Sequence, residues 1–220
     1  MKKFMMSGAV LVGLLIVSAG AASAGNLLTN GSFQSGDFTG WTIFTTSNGT
    51  NGTGFPIVTT WPLGGMNAAQ FEVGEVNFDG TQQGGGVYQN FTTTGGMVNM
   101  GFDWAALDDP NFQNAEGGVF SLVLNGTVLA TEDVGTINPN QLINGELTAS
   151  ENLGPGTYQF EILITRPFQT EQGNTPYQFV TDAFANGGGA GTPEPGTLVL
   201  LGTGLLGLGG IVRRRLAARG

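Results

Sequence analysis

The 220-residue chain contains no cysteine and no histidine. Without thiols it has no disulfide, no thiolate metal site and no Cys-His nucleophile; without imidazole it has no Ser-His-Asp triad and no His-ligated zinc or haem. Basic residues are nearly as scarce. Six of the seven lie at the two ends, at Lys2, Lys3, Arg213, Arg214, Arg215 and Arg219, which leaves Arg166 alone between them. Fifteen of the sixteen acidic residues fall in 25–192, so that stretch sets one positive charge against fifteen negative, a net −14. A body so charged repels nucleic acid and offers no basic patch to anionic ligands. Carboxylates, hydroxyls, amides and aromatic rings remain, and these suit neutral ligands and divalent cations.

Glycine is abundant instead, at 39 residues, with 40% of the chain hydrophobic. Between the ends the apolar residues recur every second position. Val98, Met100, Phe102 and Trp104 alternate with Asn99, Gly101 and Asp103, and Tyr158, Phe160, Ile162 and Ile164 alternate with polar neighbours. That is the period of a strand with one buried face. Val119–Leu124 is apolar on both faces apart from Ser121, as an interior strand would be. Asn125-Gly126 then separates it from Thr127–Ala130, a strong hairpin signal because both turn residues tolerate positive φ. Weaker strands are expected at 41–44, 57–60, 68–73, 86–91, 145–149 and 177–184. Nine or ten short strands without an amphipathic helix predict an all-β fold, an antiparallel β-sandwich of jelly-roll type, over residues 25–185. Gly84-Gly85-Gly86 is expected to be a loop or bulge ahead of its strand. Gly187-Gly188-Gly189 marks a flexible linker over 186–192.

Both ends carry addresses. Lys2 and Lys3 precede an apolar run from Phe4 to about Val17, and small residues close on Ala22-Ser23-Ala24. Charged, apolar, A-x-A is the order of a secretory signal peptide, predicted over 1–24 with cleavage after Ala24. At the other end Pro193-Glu194-Pro195 leads into an uncharged apolar stretch, 196–212, followed at once by Arg213, Arg214 and Arg215. As a helix that stretch would reach about 25 Å, just short of a bilayer core of roughly 30 Å, with the arginines on the cytoplasmic side. The three-part order resembles the PEP-CTERM sorting signal of Gram-negative bacteria, over 193–220. The resemblance implies that an integral membrane protease of the exosortase type recognises Pro193, Glu194 and Pro195 and removes the transmembrane helix. It also implies delivery to the cell surface, outer membrane or extracellular matrix, in association with exported polysaccharide.

A second resemblance opens the body. Asn26-Leu27-Leu28-Thr29-Asn30-Gly31-Ser32-Phe33-Gln34, followed by Gly40-Trp41, is similar to the start of galactose-binding-like carbohydrate-binding modules. In that family a glutamate stands where this chain has Gln34. That glutamate and an acidic residue near the last strand, here Asp182, help to hold a structural Ca²⁺. An amide oxygen in place of the carboxylate weakens that implication.

Independently of resemblance, Asp108, Asp109 and Glu116 bracket a Pro- and Asn-containing turn. They are candidate ligands for a loop Ca²⁺, the one cofactor this composition favours, or else a solvated acidic loop. The same carboxylates are the only candidates for a glycosidase acid and base, and they show no diagnostic spacing. Trp41 and Trp104 fit the core. Trp61, between strands and near Gly64 and Gly65, is expected to be an exposed ring able to stack on a sugar, with Tyr177 as the second candidate. The reading that follows is a non-catalytic, polysaccharide-associated surface module with no catalytic residues. The alternatives are a structural or adhesive protein without sugar binding, and a carboxylate-based glycan hydrolase.

Overall fold

Strands with one apolar face must cover it with another sheet, and the computed structural model shows how this chain does so. It describes residues 25–108, 115–168 and 176–187, all within the unit Ala24–Ala190. The signal-peptide residues Ala22 and Ala24, Asp109, the linker beyond Gly187, the predicted span 196–212, and the sorting residues Pro193, Glu194, Pro195, Arg213, Arg214 and Arg215 lie outside the described residues.

In chain order the strands are β1 (Thr42–Thr45), β2 (Gly49–Thr50), β3 (Ile57–Thr60), β4 (Asn67–Phe71), β5 (Gly74–Glu75), β6 (Gln83–Thr93), β7 (Gly96–Leu107), β8 (Ala115–Glu116), β9 (Val119–Leu124), β10 (Thr127–Asp133), β11 (Thr136–Ile137), β12 (Leu142–Leu153), β13 (Gly156–Arg166) and β14 (Tyr177–Gly187). They build two five-stranded sheets, β1-β6-β13-β9-β10 and β12-β7-β14-β4-β3, with two-stranded pairs β11-β8 and β2-β5 at the margins. Every pairing is antiparallel. The chain crosses between sheets from β6 to β7 and again along β12, β13 and β14, as a jelly roll does.

The inner faces interdigitate around Phe33, Phe71, Phe102, Phe120 and Phe160, all fully buried. Each such side chain contributes about 1.5–3 kcal/mol. Trp104 stacks on Phe120 across the sandwich at 5.0 Å between ring centroids. The opening motif is explained by packing. Phe33 stacks on Trp41 at 5.6 Å, and the Trp41 indole donates to the Asn30 carbonyl at 3.0 Å. The Asn30 amide donates in turn to the carbonyls of Asp37 and Thr39. Gly31 is required because a side chain there would collide with the Ala183 carbonyl. The Asn125-Gly126 turn joins β9 to β10 with φ of 48° and 77°, and β9 lies between β13 and β10 as an interior strand.

Three expectations need correcting. Gly84-Gly85-Gly86 is not a loop: all three residues lie in β6. That strand is clasped between β1 and β13, and side chains at these positions would strike the carbonyls of Ile164, Ile162 and Phe44. Trp61 is not exposed; it is 5% accessible. The turn after β3 folds its ring back, with the Trp61 N–H donating to Met66 O at 2.8 Å and Gly64 N–H to Trp61 O at 2.7 Å. Finally, β14 extends to Gly187, so residues assigned by composition to the linker are strand.

Candidate functional site

In β7 the core residues Val98, Met100, Phe102, Trp104 and Ala106 leave Asn99, Gly101, Asp103, Ala105 and Leu107 for the other side of the pleat. The registers carry that side across the sheet. Asn144 of β12, Ala105, Phe179 of β14, Gln70 of β4 and Ile57 of β3 form one row across all five strands. Beside it Glu146, Asp103 and Thr181 form the next. Ala68, Ala105 and Gly101 on this side are small and buried beneath larger neighbours. Gly101 lies under the Phe184 ring, where a side chain would come within 2.8 Å of it.

Aromatic side chains cover these positions. Trp61 and Phe179 form a small second apolar cluster with Ala68 and Ala105, and Tyr177, Met66, Leu107 and Leu142 pack against it. The structure thus brings the two ring candidates, Trp61 and Tyr177, into one cluster. Trp61 is its buried base and Tyr177 is half-buried, 5.9 Å from Phe55. Phe184 stands on the opposite flank of the polar rows.

Two carboxylates, Asp103 and Glu146, are directly opposed on neighbouring strands, an arrangement that costs stability. Burial holds the Asp103 carboxyl above the usual carboxylate range, and the charges of Asp182 and Glu146 add to the effect. Among the described residues, the side chains of Asn144, Glu146, Asp103 and Gln70 make no hydrogen bond. The face therefore offers uncommitted acceptors and amides beside aromatic edges. Sequence reading missed it. The available signal was the off-core half of the β7 alternation, where glycine, aspartate and alanine succeed one another.

The remaining candidates lie elsewhere. Gln34 is exposed, and its amide donates to Ser32 O at 3.3 Å. Asp182 occupies a bulge in β14, where the register shifts between Thr181 and Phe184, with φ of 47°. The loop bearing Gln34 does dock on this bulge, through Ala183 N–H to Gly31 O at 2.9 Å. The pair supplies one charge, and the Gln34 amide is turned to its own loop. By themselves these residues fit a Ca²⁺ poorly. Asp108 is 1% exposed. It lies with Glu116 and Glu72 around Arg166, itself 2% exposed. Burial lowers the Arg166 guanidinium to about 10 against the pull of Glu116, Glu72 and Asp108. Burial also raises the Glu116 carboxyl, with Arg166 opposing. The cation among these carboxylates is the protein's own arginine. Among the described residues no three acidic side chains are gathered as for a metal ion.

Residues 192–215 match the PEP-CTERM protein-sorting motif. The chain carries a PEP-CTERM sorting signal. The signal implies export and exosortase processing to the cell surface. Among curated proteins, none matches the chain. Among solved structures, TmCBM61 in complex with β-1,4-galactotriose is similar at 14% identity and a TM-score of 0.44, over 74% of this chain and 98% of that one. The CBM22-1 xylan-binding domain from Paenibacillus barcinonensis is similar at 14% identity and a TM-score of 0.39, over 76% of this chain and 97% of that one. The enzymatically active domain of tailspike protein 4 of bacteriophage CBA120 is similar at 15% identity and a TM-score of 0.42, over 73% of this chain and 21% of that one. The sugars named are ligands of those proteins.

Proposed function

We propose that this PEP-CTERM-sorted protein is a non-catalytic module that binds extracellular polysaccharide on the outer face of the β12-β7-β14-β4-β3 sheet. One observation carries the reading. The half-buried Phe184 and Tyr177 flank the exposed Asn144 and Glu146 on this face, and the side chains of Asn144, Glu146, Asp103 and Gln70 make no hydrogen bond among the described residues. Sugars need both parts, apolar ring faces and convergent polar groups. A net −14 over 25–192 favours a neutral glycan over an acidic one. Of the carboxylates considered for hydrolysis, Asp108 is withdrawn from any such ligand, buried against Arg166.

The test is binding of the full-length protein to the producing organism's own exopolysaccharide, with release of reducing ends followed in the same samples. The expected result is saturable binding without turnover, weakened at least tenfold by N144A and F184A with unchanged thermal stability. Turnover would refute the non-catalytic reading. Absence of binding, with concentration-dependent self-association, would replace it by an adhesive one. Processing is tested separately. Intact-mass analysis of the surface-located protein should show loss of Arg213, Arg214 and Arg215, and E194A should retain them.

A further inference from the structure

The segment between β5 and β6 holds an alternation that the glycan face does not use. Glu75, Asn77, Asp79, Thr81 and Gln83 put an oxygen-bearing side chain at every second position, with Gly80 directly after Asp79. Ca²⁺-binding loops present their first ligands in this order, with glycine at the sixth position for a sharp turn. Gly80 takes φ of 73°, as such a turn requires. The twelfth position is Gly86, inside β6, so the segment is not an EF-hand.

The buried carboxylate is what points to a ligand. Glu75 is 1% exposed. Its Oε2 accepts the Asp79 N–H at 2.7 Å, which plants the carboxylate inside the turn. Its Oε1 is buried and has no hydrogen-bond partner. A buried carboxylate oxygen is costly unless a donor, a proton or a cation meets it. Arg166, the lone basic residue of 25–192, faces Glu116, Glu72 and Asp108 instead. The Asp79 carboxylate stands close by. It accepts the Thr81 N–H at 2.9 Å and the Thr81 hydroxyl on Oδ1. Asn48 closes the other side: its amide donates to Asn77 O at 2.6 Å and to Asp79 Oδ2 at 3.2 Å, and its Oδ1 accepts the Asn77 N–H at 3.0 Å.

We propose that the 75–83 segment, closed by Asn48, is a Ca²⁺ site in which Glu75 and Asp79 supply the charge and the Asn77 and Asn48 oxygens the neutral ligands. Its function is to fasten the β5–β6 connection, which carries the exposed Val76 and Phe78. The proposal is independent of the glycan reading and of the residues at the β14 bulge.

The experiment is titration of chelator-treated full-length protein with CaCl₂, followed by calorimetry and thermal melts, with MgCl₂ in parallel. The expected midpoint is on the order of 10⁻⁴–10⁻³ M, with weaker response to Mg²⁺, as for extracellular Ca²⁺ modules. D79N and E75Q should each raise the midpoint about tenfold or more by removing one of two charges. D182N and E116Q should leave it unchanged. Asp79 is at the surface, so D79N tests the site even if E75Q fails to fold. No response of the wild-type protein up to about 10 mM Ca²⁺ would overturn the proposal. So would a response that D79N leaves unchanged or that D182N alone abolishes.

Discussion

Replacing Arg166 by methionine tests the electrostatic account of the sandwich's charged interior. The guanidinium is 2% exposed, donates to Val73 O at 3.2 Å and faces Glu116, Glu72 and Asp108. Methionine keeps much of the aliphatic stem and removes the charge. Removing one partner of a buried charge pair typically costs about 3–5 kcal/mol, because the other is left uncompensated. Domains of this kind have about 5–15 kcal/mol in total. At about 2–4 °C per kcal/mol for this chain length, the melting temperature should fall by roughly 6–20 °C. The pH dependence separates charge from packing. Burial already raises the Glu116 carboxyl in the folded state and Arg166 opposes it, so without Arg166 it rises further. A raised acid contributes stability that is present below its unfolded pKa and lost as pH rises through its folded one. R166M should therefore approach the wild type near pH 4 and show its full deficit at pH 7.5. Urea unfolding of both proteins at the two pH values measures this. An equal deficit at both would show that Arg166 acts through shape and the Val73 hydrogen bond alone.

Asp103 gives the complementary case. Its carboxyl is raised by burial, Asp182 and Glu146, so D103N should raise the melting temperature at pH 7, the gain vanishing below about pH 4. The same change should weaken glycan binding; a gain independent of pH would dissociate the effect from charge. Trp61→Ala should cost about 3–5 kcal/mol as a buried truncation. Lost sugar affinity at unchanged stability would instead return this ring to the surface. Gly126→Val, at φ of 77°, should cost about 1–2 kcal/mol from the left-handed backbone alone, read by thermal melts, with glycan binding intact.

Strands were legible where an apolar run is bounded by turn residues. The 57–60 and 119–124 segments coincide with β3 and β9, and the Asn125-Gly126 turn is where its backbone chemistry demands it. Strand ends were less legible because pairing extends them: β12 reaches twelve residues through its ladder with β7, although Leu147 alone among them is buried. Gly84-Gly85-Gly86 was misread because glycine serves two purposes, and the crowding that requires it there comes from residues far away in sequence. Trp61 was misread because its turn folds back onto a sheet whose outer face is itself apolar. The glycan face was hidden for a related reason. Its rows join β12, β7, β14, β4 and β3, and register between distant strands is not written in any one of them.

The order of the second sheet also decides how the domain meets a pull. The segment leading toward the sorting signal is β14, and β14 is the middle strand, paired with β7 on one side and β4 on the other. The beginning of the body is tied to the same strand, since Asn26 bridges Asn186, Leu27 N–H donates to Ala185 O at 2.8 Å and the Asn26 side chain clasps Ala183 and Ala185. Tension entering from the tail side therefore runs along a strand bonded at both edges. Its hydrogen bonds are loaded together in shear, not opened one by one like a zipper. A tether attached there would drag on a mechanically firm part of the fold.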